Sequence, residues 1–141
     1  MSAAQLDHVG LTVGDLDAQI EWYGTALDLR VTNVFHIEQL KMRAAFMVND
    51  DGLVLELLER AGSSAGLQAS SPAEALLTRG YGHICLRVHD ADAFHARLLA
   101  AGAEERMAPQ AAPEPGVRMS FVADPEGNLL ELLDRKGPIR P

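Results

Sequence analysis

Two histidines and two glutamates in this 141-residue chain share one spacing. Glu56 follows His8 by 48 positions, and Glu131 follows His83 by the same 48. A shift of 75 residues carries the first pair onto the second, and the flanking segments move with it. HVGLTVGDLDA from His8 matches HICLRVHDADA from His83. FMVNDDGLVLELLER from Phe46 matches FVADPEGNLLELLDR from Phe121, with 7 of 15 positions identical. Unrelated segments of ordinary composition would share about one or two. A repeat of this length is a supersecondary unit made twice. Neutral imidazole nitrogen and carboxylate oxygen are natural ligands for a divalent cation. A carboxylate in such a place can also move a proton.

The elements that must position these four side chains follow from periodicity. Residues 6–13 alternate, with Val9, Leu11 and Val13 on one side and His8, Gly10 and Thr12 on the other. Asp15 is an N-cap for a helix carrying Leu16, Ile20, Tyr23 and Leu27. Strands are expected over 29–37, 42–48 and 53–59, with Asp51-Gly52 as a turn. That is a βαβββ module. The second copy has a strand over 82–88 and a helix capped by Asp90, bearing Phe94, Leu98 and Ala101 and closed by Gly102. A short strand over 104–107, an irregular proline-bearing loop over 108–116, and strands over 117–123 and 128–134 complete it. The boundaries read as 1–60 for the first module, 61–79 for a linker, 80–136 for the second module and 137–141 for a frayed tail. Within the linker, Ser71-Pro72-Ala73-Glu74 starts a short helix to about Thr78, either a lid or a spacer. The fold class is α+β, with two tandem βαβββ modules forming a curved mixed sheet around a cavity.

Glu56 shares its strand face with Val54 and Leu58, and Glu131 with Leu129 and Leu133. A carboxylate in such company is costly to bury without a positive partner. If the modules pack as a pseudo-symmetric pair, His8, Glu56, His83 and Glu131 form one centre with positions open to water or substrate, a layout for metal-assisted chemistry. Glu59 and Asp134 also correspond but sit on the opposite face, where solvent is the expected surrounding.

Composition narrows the classes. A net charge of −8 makes nucleic acid and anionic membrane surfaces poor partners. No apolar run approaches the length of a spanning helix, and a cytoplasmic location is expected. The single Cys85 excludes an internal disulfide framework. It reads as a small buried thiol without a local positive charge to activate it. Trp22-Tyr23 is expected between helix and sheet, with the Trp edge partly exposed. His36, His89 and His95 lack counterparts in the other copy and read as surface or strand-end residues. Met42, Met47, Met107 and Met119 either line the cavity or serve as packing residues.

The paired modules, with HVGLTVGDLDAQIEWYGTAL, YGHICLRV and FVADPEGNLLELLD, resemble the vicinal oxygen chelate superfamily. The order His8, Glu56, His83, Glu131 is similar to the metal ligands of glyoxalase I. The resemblance implies one divalent metal ion (Ni, Co, Zn, Mn or Fe) and a small-molecule substrate with vicinal oxygens. It also implies a metal-chelated enediolate and a homodimer. Glu131 would be the first choice as base and Glu56 the second. Bacterial glyoxalase I has an Arg four residues after its first His, where Thr12 stands here. An Asn follows its second ligand by four, where Arg60 stands. Arg87 is the second-copy counterpart of Thr12; it is a candidate to hold a substrate anion, or an edge Arg reaching solvent. Other superfamily members keep alternatives open. These are an Fe(II) dioxygenase acting on an aromatic or polyketide-like substrate, a methylmalonyl-CoA-epimerase-like enzyme, and a metal-free drug-binding module.

Overall fold

The computed structural model describes residues 3–139. The chain divides at Ala65/Gly66 into two compact units. In the first, β1 (Val9–Thr12), α1 (Leu16–Leu27), β2 (Arg30–Ile37), β3 (Met42–Val48) and β4 (Val54–Arg60) form a four-stranded sheet ordered β1-β4-β3-β2. In the second, α2 (Pro72–Ala75) precedes β5 (His83–Arg87), α3 (Ala91–Ala100), β6 (Glu104–Ala111), β7 (Arg118–Ala123) and β8 (Leu129–Leu133). Its sheet order, β5-β8-β7-β6, repeats the first. In both sheets the first strand runs parallel to the last and the other pairings are antiparallel. The result is two four-stranded mixed sheets of an α+β protein. Among the described residues no helix is long and apolar enough to cross a membrane.

Strand alternation divides each sheet into a packed back and a front that carries the glutamate. On the back of the first, Leu55, Leu57, Ala45 and Met47 are buried with Leu16, Tyr23 and Leu27 of α1. On the back of the second, Leu130, Leu132 and Val122 are buried with Leu98 of α3. Tyr23 is fully buried and meets Trp22 edge-on at 4.8 Å, while the indole stays partly exposed. Asp15 and Asp90 cap their helices as expected, accepting from Ala18 N and Ala93 N at 3.0 Å.

Glu59 and Asp134 are not merely solvated. Each accepts the backbone N–H of the first residue of its helix, Glu59 from Leu16 at 2.7 Å and Asp134 from Ala91 at 3.4 Å. Glu59 also binds the Arg43 guanidinium, and Asp134 accepts Arg118 N–H at 2.8 Å. These carboxylates satisfy orphan donors at a positive helix terminus and clasp it to the last strand. Both lie on the back face as expected, but a helix terminus, not open water, meets each carboxylate.

Other differences have equally local causes. β6 runs to Ala111 rather than stopping at Met107, because it is an edge strand whose register slips near Pro109 and so needs no donor there. The helix after Ser71 ends at Ala75, and α3 buries Ala91, His95 and Leu98 rather than the Phe94 and Ala101 stripe. His95 is 3% exposed, with Nδ1 2.8 Å from Ser120 Oγ and Nε2 2.7 Å from Glu105 Oε2. It ties α3 to β6 and β7 and is no surface residue. Of the tail expected to fray, residues 137–139 lie outside any helix or strand, and 140–141 lie outside the described residues.

Replacing Asp134 with Ala is expected to lower unfolding free energy by about 1–2 kcal/mol in denaturant titration. Two backbone N–H groups hold its carboxyl below the ordinary 3.8. The contribution is therefore present above pH 3.8 and fades as pH falls through the lowered value. The Asp134→Ala difference should shrink over that acid range.

Candidate metal and proton-transfer site

Each unit brings its own histidine and glutamate together. His8 stands just ahead of β1, and Gly10 pairs with Glu56 across β1 and β4. His8 Nε2 lies 3.3 Å from Glu56 Oε1. In the second unit His83 opens β5, Cys85 pairs with Glu131, and His83 Nε2 lies 3.1 Å from Glu131 Oε2. A separation of 48 positions thus closes to a direct contact, twice. The cause is the parallel pairing of first and last strands, which sets the histidine beside the glutamate on the front.

The first pair shows what such a contact asks for. His8 Nδ1 lies 2.7 Å from Asp7 Oδ2. An ionised carboxylate only accepts hydrogen bonds, so in the neutral ring Nδ1 carries the hydrogen. Nε2 then turns a lone pair toward the oxygen of Glu56. Two electron-rich atoms at 3.3 Å are stable when a cation or proton sits between them. Two donors on adjacent coordination positions of one cation, with bonds of about 2.1 Å, stand roughly 3 Å apart. The observed 3.3 and 3.1 Å fit that requirement. Among the described residues, neither unit adds a third His, Cys, Asp or Glu placed to complete a metal-holding set. Each pair is a two-donor set.

The surroundings repeat as well. Phe46 meets the His8 ring edge-on with centroids 5.0 Å apart, and Phe121 meets His83 in the same way at 5.0 Å. Each phenylalanine pairs across the ladder with the glutamate, Phe46 with Glu56 and Phe121 with Glu131. These rings fix the imidazole planes. They open the two halves of the repeated segment, so the signal was present, but a phenylalanine beside leucines reads as core. Asp7, which sets the tautomer of His8, has Gly82 as its counterpart and no repeat to mark it.

The halves differ in what surrounds the pair. Gly10 stands where the second copy has Cys85, and a Cβ at Gly10 would lie 3.8 Å from Glu56 Oε1. Cys85 is an exposed residue, not the buried thiol expected. Its pKa is nonetheless pushed up to about 12, first by burial of the thiol against protein and then by the charge of Glu131, which outweighs Arg135 and Arg87. It remains a neutral thiol at ordinary pH. Thr12 and Arg87 occupy the faces of Glu56 and Glu131, are both exposed, and pair across the ladder with Leu58 and Leu133. Among the described residues, no hydrogen bond or ion pair joins either to the His–Glu pair of its unit.

The segment after Gly66 lies on the front of the second sheet. Ala69 and Ala75 are buried against Phe121 and Leu129, flanked by Leu67 and Met107. Gln68 Nε2 donates to Glu126 O at 3.1 Å and Arg106 Nε to Ala69 O at 3.2 Å. Ser70 and Glu74 bond through their side chains, while Ser71 Oγ accepts Glu74 N–H at 3.1 Å. This stretch is a packed wall beside His83 and not a free spacer.

The sequence pattern of the Glyoxalase/Bleomycin resistance protein/Dioxygenase superfamily matches residues 5–132. The chain belongs to this superfamily. It is 30% identical over 139 residues to a probable lactoylglutathione lyase of Vibrio cholerae, covering 96% of this chain and 94% of that one. A probable lactoylglutathione lyase of Vibrio parahaemolyticus is 29% identical over 141 residues with the same coverage. Among solved structures, the trypanothione-dependent glyoxalase I of Leishmania major superposes with a TM-score of 0.70 at 26% identity, over 95% of this chain and 88% of that one. These likenesses support an enzyme of glyoxalase type within the superfamily.

The Asp7 contact, followed by Glu56, raises the His8 pKa above 6.5. The stabilisation this gives is complete below pH 6.5 and is lost as pH rises through the higher folded value. In a proton NMR titration of the metal-free protein, the His8 ring signals should show a midpoint above 6.5. Asp7→Asn should move it down, and an unmoved midpoint would remove Asp7 from this role.

Proposed function

We propose that the two His–Glu pairs are halves of one divalent-metal centre, and that the protein is a metal-dependent isomerase or lyase of glyoxalase I type. The observation that carries this reading is the duplicated contact of 3.3 and 3.1 Å between an imidazole nitrogen and a carboxylate on the front of each sheet. Two such halves supply two nitrogens and two oxygens, and an ion of the Ni, Co, Zn, Mn or Fe group accepts that mixture. When bound, the ion supplies Lewis acidity toward the vicinal oxygens of a substrate.

The chain's own residues do the rest. Glu131 takes the proton from the carbon next to the carbonyl and returns it to the neighbouring carbon; Glu56 is the second choice for this base. Glu131 is the less exposed of the two carboxylates, 17% against 23%. Phe46 and Phe121 meet the imidazoles edge-on, and Asp7 orients the His8 ring through Nδ1. Thr12 and Arg87 lie along the same faces, where they would meet a substrate. The lyase names of the relatives make the hemithioacetal of glutathione and methylglyoxal the first substrate to try, isomerised to a thioester with no net oxidation.

The test is turnover of that hemithioacetal by protein reloaded with each metal in turn, run in deuterated water. Solvent deuterium at the product carbon, without oxygen uptake, is expected. Glu131→Gln should lower kcat by about a hundredfold or more while the protein keeps its fold. Full activity in Glu131→Gln would move the base to Glu56. Full activity in the Glu131→Gln, Glu56→Gln double variant would end the reading.

A further inference from the structure

Beneath its helix the second unit carries a polar network that the first unit lacks. The 75-residue shift sets His95 on Ile20, Ser120 on Ala45 and Glu105 on Arg30. The first sheet therefore seats its helix with an isoleucine, a buried alanine and an exposed arginine in those places. A buried polar network is often no more stabilising than apolar packing of the same shape. Its presence in one copy alone calls for a role other than holding the fold.

The network is sensitive to one proton. The Glu105 carboxylate only accepts, so Nε2 of His95 donates to it at 2.7 Å. In the neutral ring Nδ1 then accepts from the Ser120 hydroxyl at 2.8 Å, and every group is satisfied. A second proton would make Nδ1 a donor. Ser120 Oγ could accept it, but the hydroxyl hydrogen would lose its acceptor. Ser120 is fully buried, and among the described residues its hydroxyl has no other partner. Protonation thus strengthens the hold on Glu105 by charge and weakens the hold on Ser120. The other charges around the ring are already paired. On α3, Asp92 stands one turn before His95 and is held by Arg118 of β7 at 2.7 and 3.0 Å. On β6, Glu104 binds Arg106 at 3.0 Å. Beneath the helix β8 presents Leu130 and Leu132, and Asp134 at its end accepts the N–H groups of Ala91 and Arg118. Imidazole is the side chain that changes charge between about pH 5 and 8.

The two strands that His95 grips also carry the surroundings of His83. Ser120 precedes Phe121, whose ring meets His83 at 5.0 Å. The register of β6 shifts between Glu105, opposite Val122, and Met107, opposite Phe121, leaving Arg106 as an extra residue. Arg106 Nε donates to Ala69 O at 3.2 Å, and Met107 packs against the cluster of Ala69, Ala75, Phe121 and Leu129. The back of the sheet is thereby joined to the front through β6 on one side and β7 on the other.

We propose that His95, Ser120 and Glu105 form a proton-operated lock on the register of β6 against β7. The neutral ring holds Phe121 and the wall over it in place beside His83, and the imidazolium loosens them. His95 is a positioning residue in this scheme and touches nothing that reacts. The inference goes beyond the metal reading and does not depend on it.

Hydrogen exchange followed by NMR on the full metal-free chain, between about pH 8 and pH 5, is the test. Protection of the Met107 and Phe121 amides, corrected for the intrinsic exchange rate, is expected to fall about tenfold at the acid end, the worth of one buried hydrogen bond. The Ala45 amide of the first unit is the internal control and should keep its protection. His95→Gln can still donate to Glu105 but gains no proton, and it should abolish the acid loss. Ser120→Ala removes the hydroxyl that protonation leaves unpaired; it should abolish the loss while the His95 ring still titrates. His83 lies beside Phe121 and titrates on its own account, so the loss should remain in His83→Gln. A loss that persists in Ser120→Ala or His95→Gln, that is shared by Ala45, or that disappears in His83→Gln overturns the proposal. So do unchanged protection in the wild type and a His95 ring that stays neutral through the range.

Discussion

The structure depends on one contact made twice: an imidazole nitrogen held 3.3 and 3.1 Å from a carboxylate oxygen on a partly solvated strand face. Where the facing nitrogen carries no hydrogen, such a contact is a small electrostatic debit. Parallel pairing of β1 with β4 and of β5 with β8 imposes it, and buried leucines beneath fix those registers. The cost is offset when a cation occupies the place between the two atoms. Both copies keep the contact, with a phenylalanine edge against each ring, and the proposed cation site rests on that repetition.

Duplication explains why so much of the molecule can be read in pairs. Asp15 and Asp90 cap the helices, Glu59 and Asp134 clasp them to the last strands, and Gly52 and Gly127 turn the hairpins with positive φ of 91° and 89°. Where the copies diverge, function has room to enter. The second unit trades Gly10 for Cys85 and Thr12 for Arg87, and carries residues 66–75 as a wall over Phe121 and Leu129. The first unit keeps the smaller residues.

Much of this was legible in the sequence because it rests on period and repetition. The succession of elements in each module, the helix caps, and the meeting of His8 with Glu56 and of His83 with Glu131 follow from alternation, capping residues and the 75-residue shift. What escaped rests on contacts between residues that no pattern links. Glu59 and Asp134 look like surface charges until the start of the helix is seen to lie over them. His95 falls on the buried side of α3 only because Ser120 and Glu105 are there to satisfy both of its nitrogens. Pro109 suggests a loop unless the strand is known to be an edge. The wall over the second sheet is made of Gly, Ser and Ala, a composition that ordinarily means a linker. Its anchorage through Gln68 and Arg106 cannot be inferred from it.

The central claim is that both imidazoles serve one ion. The most direct measurement is metal stoichiometry on the reconstituted protein, combined with X-ray absorption spectroscopy of the bound ion. The account predicts one divalent cation per chain, with two imidazole nitrogens among its ligands and the remainder oxygen. Two cations per chain with one imidazole each would contradict it, as would a chain that retains no divalent metal after reconstitution.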